Sequence, residues 1–250
     1  MHDVLTLPGS EADRLRTSRF VVLPLGSVEY HGAHAPLGTD TTLASGFARE
    51  LGRRFDCVEL PAIAYTFASS LTVARPGTLS VASPVFLAYL EEVLRALARA
   101  GATRVLALNA HSENQFACRL AAEGLATERP EVSVAIVDWW RFVRADVAGG
   151  AFGEAGGHGH GGPLEISATA AFDPAGVDPS RSPDVAYEAP WWRGAAQVVG
   201  AGGAPSGFEG YHGRVSEISV EAGRAVVDDA LEGLTRFVGD WLARADAPAA

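Results

Sequence analysis

The sequence predicts an α/β protein built as three layers, α/β/α, around a mostly parallel sheet. Short, continuously apolar runs alternate along the chain with longer stretches of helical periodicity. That pattern belongs to strand–helix–strand units joined by right-handed crossovers. The chain has 250 residues, 48% of them hydrophobic and 20% charged, with no linker-like interruption. One domain spanning 1–250 is expected, with residues 1–18 as an N-terminal extension and 246–250 as a frayed tail.

The elements follow in order. Phe20 to Leu25 is short and apolar throughout and reads as a buried strand. Thr39 or Asp40 then caps a helix reaching about Phe55, and Cys57 to Ala64 reads as a second strand. Tyr65 to Thr78 is small and polar and ends in Arg75-Pro76-Gly77-Thr78, a loop over a site. Ser83-Pro84 starts a helix whose one face carries Phe86, Leu90, Val93, Leu94 and Leu97, and Gly101 ends it. Thr103 to Leu108 is a strand, Glu113 to about Arg129 a helix, and Val132 to Val137 a further strand. Trp139-Trp140 leads into a short helix to Val147, then a glycine-rich segment from Gly149 to Gly162 holding His158 and His160. Leu164 to Phe172 is helical, Asp173 to Gly213 loop-rich, and Val220 to about Arg244 a long amphipathic helix. The tryptophans at 139, 140, 191 and 192 read as core or subunit-contact residues.

Charge and composition exclude several classes. Net charge is −10, and all 20 basic residues are Arg. An acidic surface argues against nucleic acid and anionic membrane as partners. No apolar run is long enough to span a bilayer, and residues 1–19 lack the apolar core of a signal peptide. Cys57 and Cys118 are far apart and lie in apolar segments, so they read as buried thiols of a reducing, cytoplasmic compartment.

The chemistry concentrates in loops. The stretch Gly26-Ser-Val-Glu-Tyr-His-Gly-Ala-His-Ala-Pro-Leu-Gly-Thr-Asp40 packs two carboxylates and two imidazoles after the first strand. A second group, Asn109-Ala-His-Ser-Glu-Asn114, follows another strand. In parallel sheets sites form beyond the carboxyl ends of strands, so both groups reach one rim. Glu29, His31, Asp40, His111 and Glu113 offer the oxygen and nitrogen donors that suit Zn²⁺, Mn²⁺ or Fe²⁺. Asp40, at the mouth of its helix, can bridge two cations, and the set suits a two-metal hydrolytic site. His34 reads as a partner that holds a ligand in place. His160, on a glycine-rich loop, is a candidate general acid or base, with His158 as its competitor. Glu165 completes a metal shell or orients that region. Ser69, Ser70, Ser112 and His158 are candidate substrate contacts, whereas His2 and His212 read as solvent-facing or structural.

These motifs, with Pro76-Gly-Thr-Leu-Ser80 and His160 followed by Glu165-Ile-Ser167, resemble the creatininase (creatinine amidohydrolase) family from Val21 to about Val238. The resemblance implies a creatininase-like three-layer α/β fold, two metal ions and hydrolysis of a C–N amide bond. It assigns Glu29 and His111 to one ion, His31 and Glu113 to the other, Asp40 to the bridge and His160 to proton transfer. It also implies a homo-oligomer, commonly a hexamer. Glu113 matches creatininase itself. In relatives without that carboxylate, the residue matching Glu165 is the ligand. Creatininase holds its substrate with Trp and Glu just before the catalytic His, and here those positions are Gly156 and Gly159. The loop before Pro76 also lacks a His common in relatives.

The expected activity is therefore metal-dependent hydrolysis of a small cyclic or linear amide by a metal-bridging hydroxide, with His160 protonating the leaving nitrogen. A peptidase of a modified peptide or a deformylase is the alternative within the family. A non-catalytic, metal-stabilised scaffold is the alternative outside it.

Overall fold

The computed structural model describes residues 2–153, 156–186, 199 and 207–245. Among these residues the sheet has five parallel strands: β1 (His2–Asp3), β2 (Phe20–Leu25), β3 (Cys57–Glu59), β4 (Arg104–Asn109) and β5 (Ser133–Asp138), in the order β1-β3-β2-β4-β5. The helices are α1 (Arg14–Thr17), α2 (Thr39–Arg54), α3 (Ser83–Arg99), α4 (Asn114–Glu128), α5 (Ala145–Phe152), α6 (Pro163–Phe172) and α7 (Val220–Ala245).

The period-two alternation of buried strands sorts the core onto two faces. Phe20, Val22, Leu106 and Leu108 point to one side, where Leu43 and Phe47 of α2, Leu164 of α6 and Leu231 and Leu234 of α7 meet them. Val21, Leu23, Val105 and Ala107 point to the other, against Phe86, Leu90 and Leu94 of α3 and Cys118, Ala121 and Leu125 of α4. Two helical layers around one sheet are the three layers read from the sequence.

From β2 the chain crosses through α2 to β3 on one side, and then through α3 to β4 on the other. Strands β2 and β4 therefore lie side by side, while their outgoing connections run in opposite directions. A crevice opens at such a switch point. Leu25, Asn109 and Asp138, the last residues of β2, β4 and β5, stand in register along its lip.

Three details differ from the sequence reading. β3 stops at Glu59 rather than Ala64. Pro61 interrupts the ladder, which Ile63 rejoins through a single bridge to Leu25. α5 continues to Phe152, so Gly149 and Gly150 are helical rather than part of the glycine-rich loop. The N-terminal segment supplies the edge strand β1, paired with β3, and so belongs to the sheet. Met1, Trp191, Trp192 and the tail 246–250 lie outside the described residues, as does most of 187–206. Among the described residues no helix is long and apolar enough to cross a membrane.

Helix α7 lies against α6 at a distance that only glycine permits. A Cβ at Gly223 would stand 1.8 Å from the Ser167 carbonyl oxygen, whereas one at Gly239 would meet nothing within 4 Å. Gly223→Ala is expected to destabilise the chain by about 1–3 kcal/mol or more through overpacking. Gly239→Ala, exposed on the same helix, is expected to stabilise it by about 0.5–1 kcal/mol. Paired denaturant titrations of the two variants check this. Equal effects would contradict the packing.

Candidate metal centre

The loop from Gly26 to Gly38 leaves β2 at the switch point and turns back to start α2. Asp40, in the first turn of α2, thereby faces its own preceding loop. Ser27 Oγ donates to Asp40 Oδ2 at 2.6 Å. The close return needs glycine, because a Cβ at Gly26 would lie 2.6 Å from the Thr41 nitrogen.

Three imidazoles converge here, each held by a main-chain carbonyl. His31 Nδ1 lies 2.9 Å from Glu29 O, His111 Nε2 2.9 Å from Phe67 O, and His160 Nε2 2.8 Å from Tyr30 O. A carbonyl only accepts, so each of these nitrogens carries a proton and the opposite nitrogen is left for other partners. Those opposite nitrogens turn toward carboxylates, where a proton or a cation can sit between them. His31 Nε2 is 3.2 Å from Asp40 Oδ1 and 3.7 Å from Glu165 Oε2. His111 Nδ1 is 3.1 Å from Glu29 Oε2 and 3.0 Å from Asp40 Oδ2. His160 Nδ1 is 3.9 Å from Glu29 Oε2, and its ring stacks on His31 at 4.1 Å.

The donor atoms form three overlapping groups among the described residues, each within 4.8 Å: Glu29–Asp40–His111, His31–Asp40–Glu165 and Glu29–His31–His160. Asp40 is common to the first two. Glu29 Oε2, His31 Nε2 and Asp40 Oδ1 are buried and make no hydrogen bond. Buried polar atoms are rarely left so. A divalent cation in the first two groups would satisfy all three, so the residues fit metal.

Electrostatics fit the same account. Burial works against ionisation of Glu29, but the adjacent His111, with His160 and His31, holds it well below the ordinary range. Asp40 is likewise depressed against its burial, by His31 and His111. Burial disfavours charge on His31, yet Asp40 and Glu165 raise it to about 10. Burial raises Glu165. His160 differs: burial, with the repulsion of His31, lowers it to about 4, so it is neutral at pH 7.

Of the residues singled out from sequence, Glu29, His31, Asp40, His111, His160 and Glu165 are brought together. Glu113 is in none of the three groups. It precedes α4, half-buried, and lines the cavity instead. His34 is buried away from the donor atoms. Its Nε2 donates to Gly161 O at 3.0 Å and so ties down the loop carrying His160. Gly161 presses against the His31 carbonyl, which a Cβ would approach to 2.6 Å, and its N–H donates to Glu165 Oε2 at 2.8 Å.

The cavity beside the cluster has two lobes of about 160 and 200 Å³ that share His111, Ser112, Gly159 and His160. Trp139, Trp140, His158 and Leu164 line the first. Ser69, Thr72, Glu113, Phe208 and His212 line the second. Ser70 is exposed and lines neither. His212, read from sequence as solvent-facing or structural, is buried and packs on Phe208 at 4.8 Å. Thr72, which donates to Glu29 Oε1, was not singled out either. Its only sequence signal is its place in the loop over the site.

A parallel α/β sheet with an imidazole–carboxylate cluster at its switch point defines the class. The chain belongs to the creatininase family, whose model, described as creatinine amidohydrolase, matches residues 5–238. Over 101 residues it is 30% identical to 3-dehydro-scyllo-inosose hydrolase of Thermotoga maritima, covering 40% of this chain and 32% of that one. Over 136 residues it is 27% identical to creatinine amidohydrolase of Pseudomonas putida, covering 50% and 51%. Over 122 residues it is 36% identical to mycofactocin precursor peptide peptidase of Mycobacterium tuberculosis, covering 45% and 48%. The matches thus span about half the length of these curated relatives, and a third of the first. Solved structures share the fold: a manganese creatininase (TM-score 0.77, 23% identity, 96% of this chain and 98% of that) and a mutant creatininase of Zn–Zn type (TM-score 0.80, 22% identity, 96% and 98%).

The raised imidazoles set a pH dependence for the metal-free chain. A histidine whose folded pKa exceeds its unfolded value of about 6.5 stabilises fully below that value. The contribution is lost as pH rises toward its folded pKa, about 10 for His31, and His111 is raised in the same sense. With chelator present, the melting temperature is expected to fall from pH 7 to 10. Metal loading replaces the proton on each lone pair and should flatten that slope. Identical slopes with and without Zn²⁺ would contradict it.

Proposed function

We propose that the chain is a metal-dependent amidohydrolase cleaving a C–N amide bond. The observation that carries this is the convergence of carbonyl-locked imidazoles on the carboxylates of Glu29, Asp40 and Glu165, with Asp40 common to two donor groups. Glu29, His111 and Asp40 would hold one divalent ion, and His31, Glu165 and Asp40 the other. Zn²⁺ and Mn²⁺ are favoured by the donor set and by the metals of the related structures, and Fe²⁺ suits the same donors. Two such ions lower the pKa of a water and polarise a carbonyl.

The chain's own residues do the rest. His160 is the least buried of the cluster, with its side chain a quarter exposed. Neutral at pH 7, with its Nε2 proton committed to Tyr30 O, it accepts a proton at Nδ1 and returns it to the departing nitrogen. Glu29, 3.9 Å away, stabilises the imidazolium in between. Glu113 remains free for the substrate side of the cavity. Ser112, His158 and Ser69 line the cavity, which supports a role for them in contacting substrate.

The two lobes give room on both sides of the scissile bond. That favours a peptidase acting on a modified peptide as the second reading, ahead of a deformylase, whose formyl group needs almost no acyl space. The open cavity weighs against a non-catalytic scaffold. A homo-oligomer is supported by the exposed apolar side chains Val85 and Tyr89 on α3 and Phe116 and Leu120 on α4. The buried free thiols Cys57 and Cys118 suit the cytoplasm.

Metal content per chain, measured after purification without chelator, tests the assignment. About two ions are expected in the wild type, with both weakened in Asp40→Asn, one lost in Glu165→Gln and none lost in Glu113→Gln. His160→Ala should keep its metal and lose about 10²–10⁴ in kcat on an amide panel. Metal indifferent to Asp40, or one ion lost in Glu113→Gln and none in Glu165→Gln, would refute it.

A further inference from the structure

Asp138 lies at the end of β5, buried and outside every donor group of the cluster. Its neighbours form a directed chain of hydrogen bonds. Asn109 Nδ2 donates to Asp138 Oδ1 at 2.8 Å. Asn109 Oδ1 in turn accepts from the His111 N–H at 3.1 Å and from Asn114 Nδ2 at 3.2 Å. Asn114 Nδ2 also donates to Gly26 O at 3.0 Å, where the loop bearing Glu29 and His31 begins. On its far side Asp138 Oδ2 accepts from Gln115 Nε2 and pairs with Arg141 Nε at 3.0 Å.

The two ends of an Asn amide have the same shape and opposite hydrogen-bond character. Asn109 is fully buried, so its neighbours alone decide which end points where. The His111 N–H can only donate and needs the oxygen. An ionised carboxylate can only accept and needs the NH₂. Asp138 stands beside Asn109 in the ladder, as Asn109 stands beside Leu25, so the network joins the ends of three adjacent strands.

We propose that Asp138 is a positioning residue. By accepting only, it fixes the orientation of the Asn109 amide, and through it the seat of the His111 main chain and the spacing between the two ligand-bearing loops. In its bearing on metal, the proposal rests on the function proposed above. It touches neither donor atoms nor substrate and acts through Asn109.

The polarity of the pair makes it testable by exchange of partners without change of volume. Asn109→Asp sets two carboxylates against each other. Asp138→Asn cannot accept from Asn109 and from Gln115 and Arg141 at once without turning its NH₂ against one of them. In the double variant N109D/D138N every contact is satisfied again: the amide at 138 donates to the carboxylate at 109, whose other oxygen accepts from the His111 N–H. Two readouts at pH 8 decide the matter. The first is exchange of the His111 amide hydrogen in the metal-free chain, expected to quicken at least 10-fold in each single variant and to return within about 3-fold of wild type in the double. The second is affinity for Zn²⁺, expected to fall about 10–100-fold in the singles for the ion held with His111, less for the ion held with Glu165, and to recover in the double. Singles that exchange and bind like wild type would overturn the proposal, as would a double variant no better than the worse single. If the wild type binds no ion, the proposed function falls, and the exchange pattern still decides whether Asp138 sets the His111 main chain.

Discussion

The centre depends on three main-chain carbonyls. An imidazole buried without direction could present either nitrogen to its neighbours. Here Glu29 O, Phe67 O and Tyr30 O each claim one N–H and leave the opposite nitrogen facing the carboxylates. The ring orientations are set before any ion arrives, so binding has no cost of ring reorientation. Two of the carbonyls belong to consecutive residues of the loop after β2 and the third to Phe67, and each must be delivered to within hydrogen-bond distance of its imidazole by the fold. That is why the switch point matters. It places the end of β2 beside the end of β4, and leaves the loops above them free to fold toward each other instead of following diverging helices.

The same convergence creates an electrostatic problem. Glu29, Asp40 and Glu165 bring three carboxyl groups into a space that excludes most water. Without compensation one of them protonates, and Glu165 is the one pushed upward. Charged imidazoles offset part of this in the metal-free chain, which is why His31 and His111 are raised despite burial. Burial, together with the repulsion of the neighbouring His31, keeps His160 out of that compensation and neutral. One histidine of the cluster thus stays uncharged beside two that are drawn to the carboxylates.

Much of this was legible in the sequence. Apolar runs ending in His- and carboxylate-rich loops identified β2, β4 and their outgoing loops, and hence Glu29, His31, Asp40 and His111. That Glu165 falls within the donor groups and Glu113 outside them was not legible. Glu113 stands two residues from His111, yet the chain turns into α4 there and its carboxyl lies outside the three groups. Glu165 arrives from a remote segment, by way of the close approach at Gly161, which no local pattern reveals. The anchoring carbonyls leave no sequence signal at all, since every residue carries one. The edge strand β1 was missed for a related reason: two residues are too few for periodicity, and pairing alone defines them.

Centre and cavity share a wall but are held differently. The donors of the centre sit on the loops that leave β2 and β4, on the loop before α6 and in the first turns of α2 and α6, and the strand-end side is fastened by buried hydrogen bonds from Ser27, Asn109 and Asn114. The second lobe is lined by loop residues such as Ser69, Thr72, Phe208 and His212, and its loops are joined where Arg75 donates to Phe208 O at 2.7 Å and lies over the Phe208 ring. Loops of this kind tolerate replacement at modest energetic cost, whereas a displaced strand end would move several donors at once. Gly157 and Gly159 bring no side-chain volume to the first lobe, so Trp139, Trp140 and His158 are prominent among the side chains that define it. The fold therefore separates the chemistry, which needs sub-ångström placement of donors, from recognition, which can be rewritten in the loops without disturbing it.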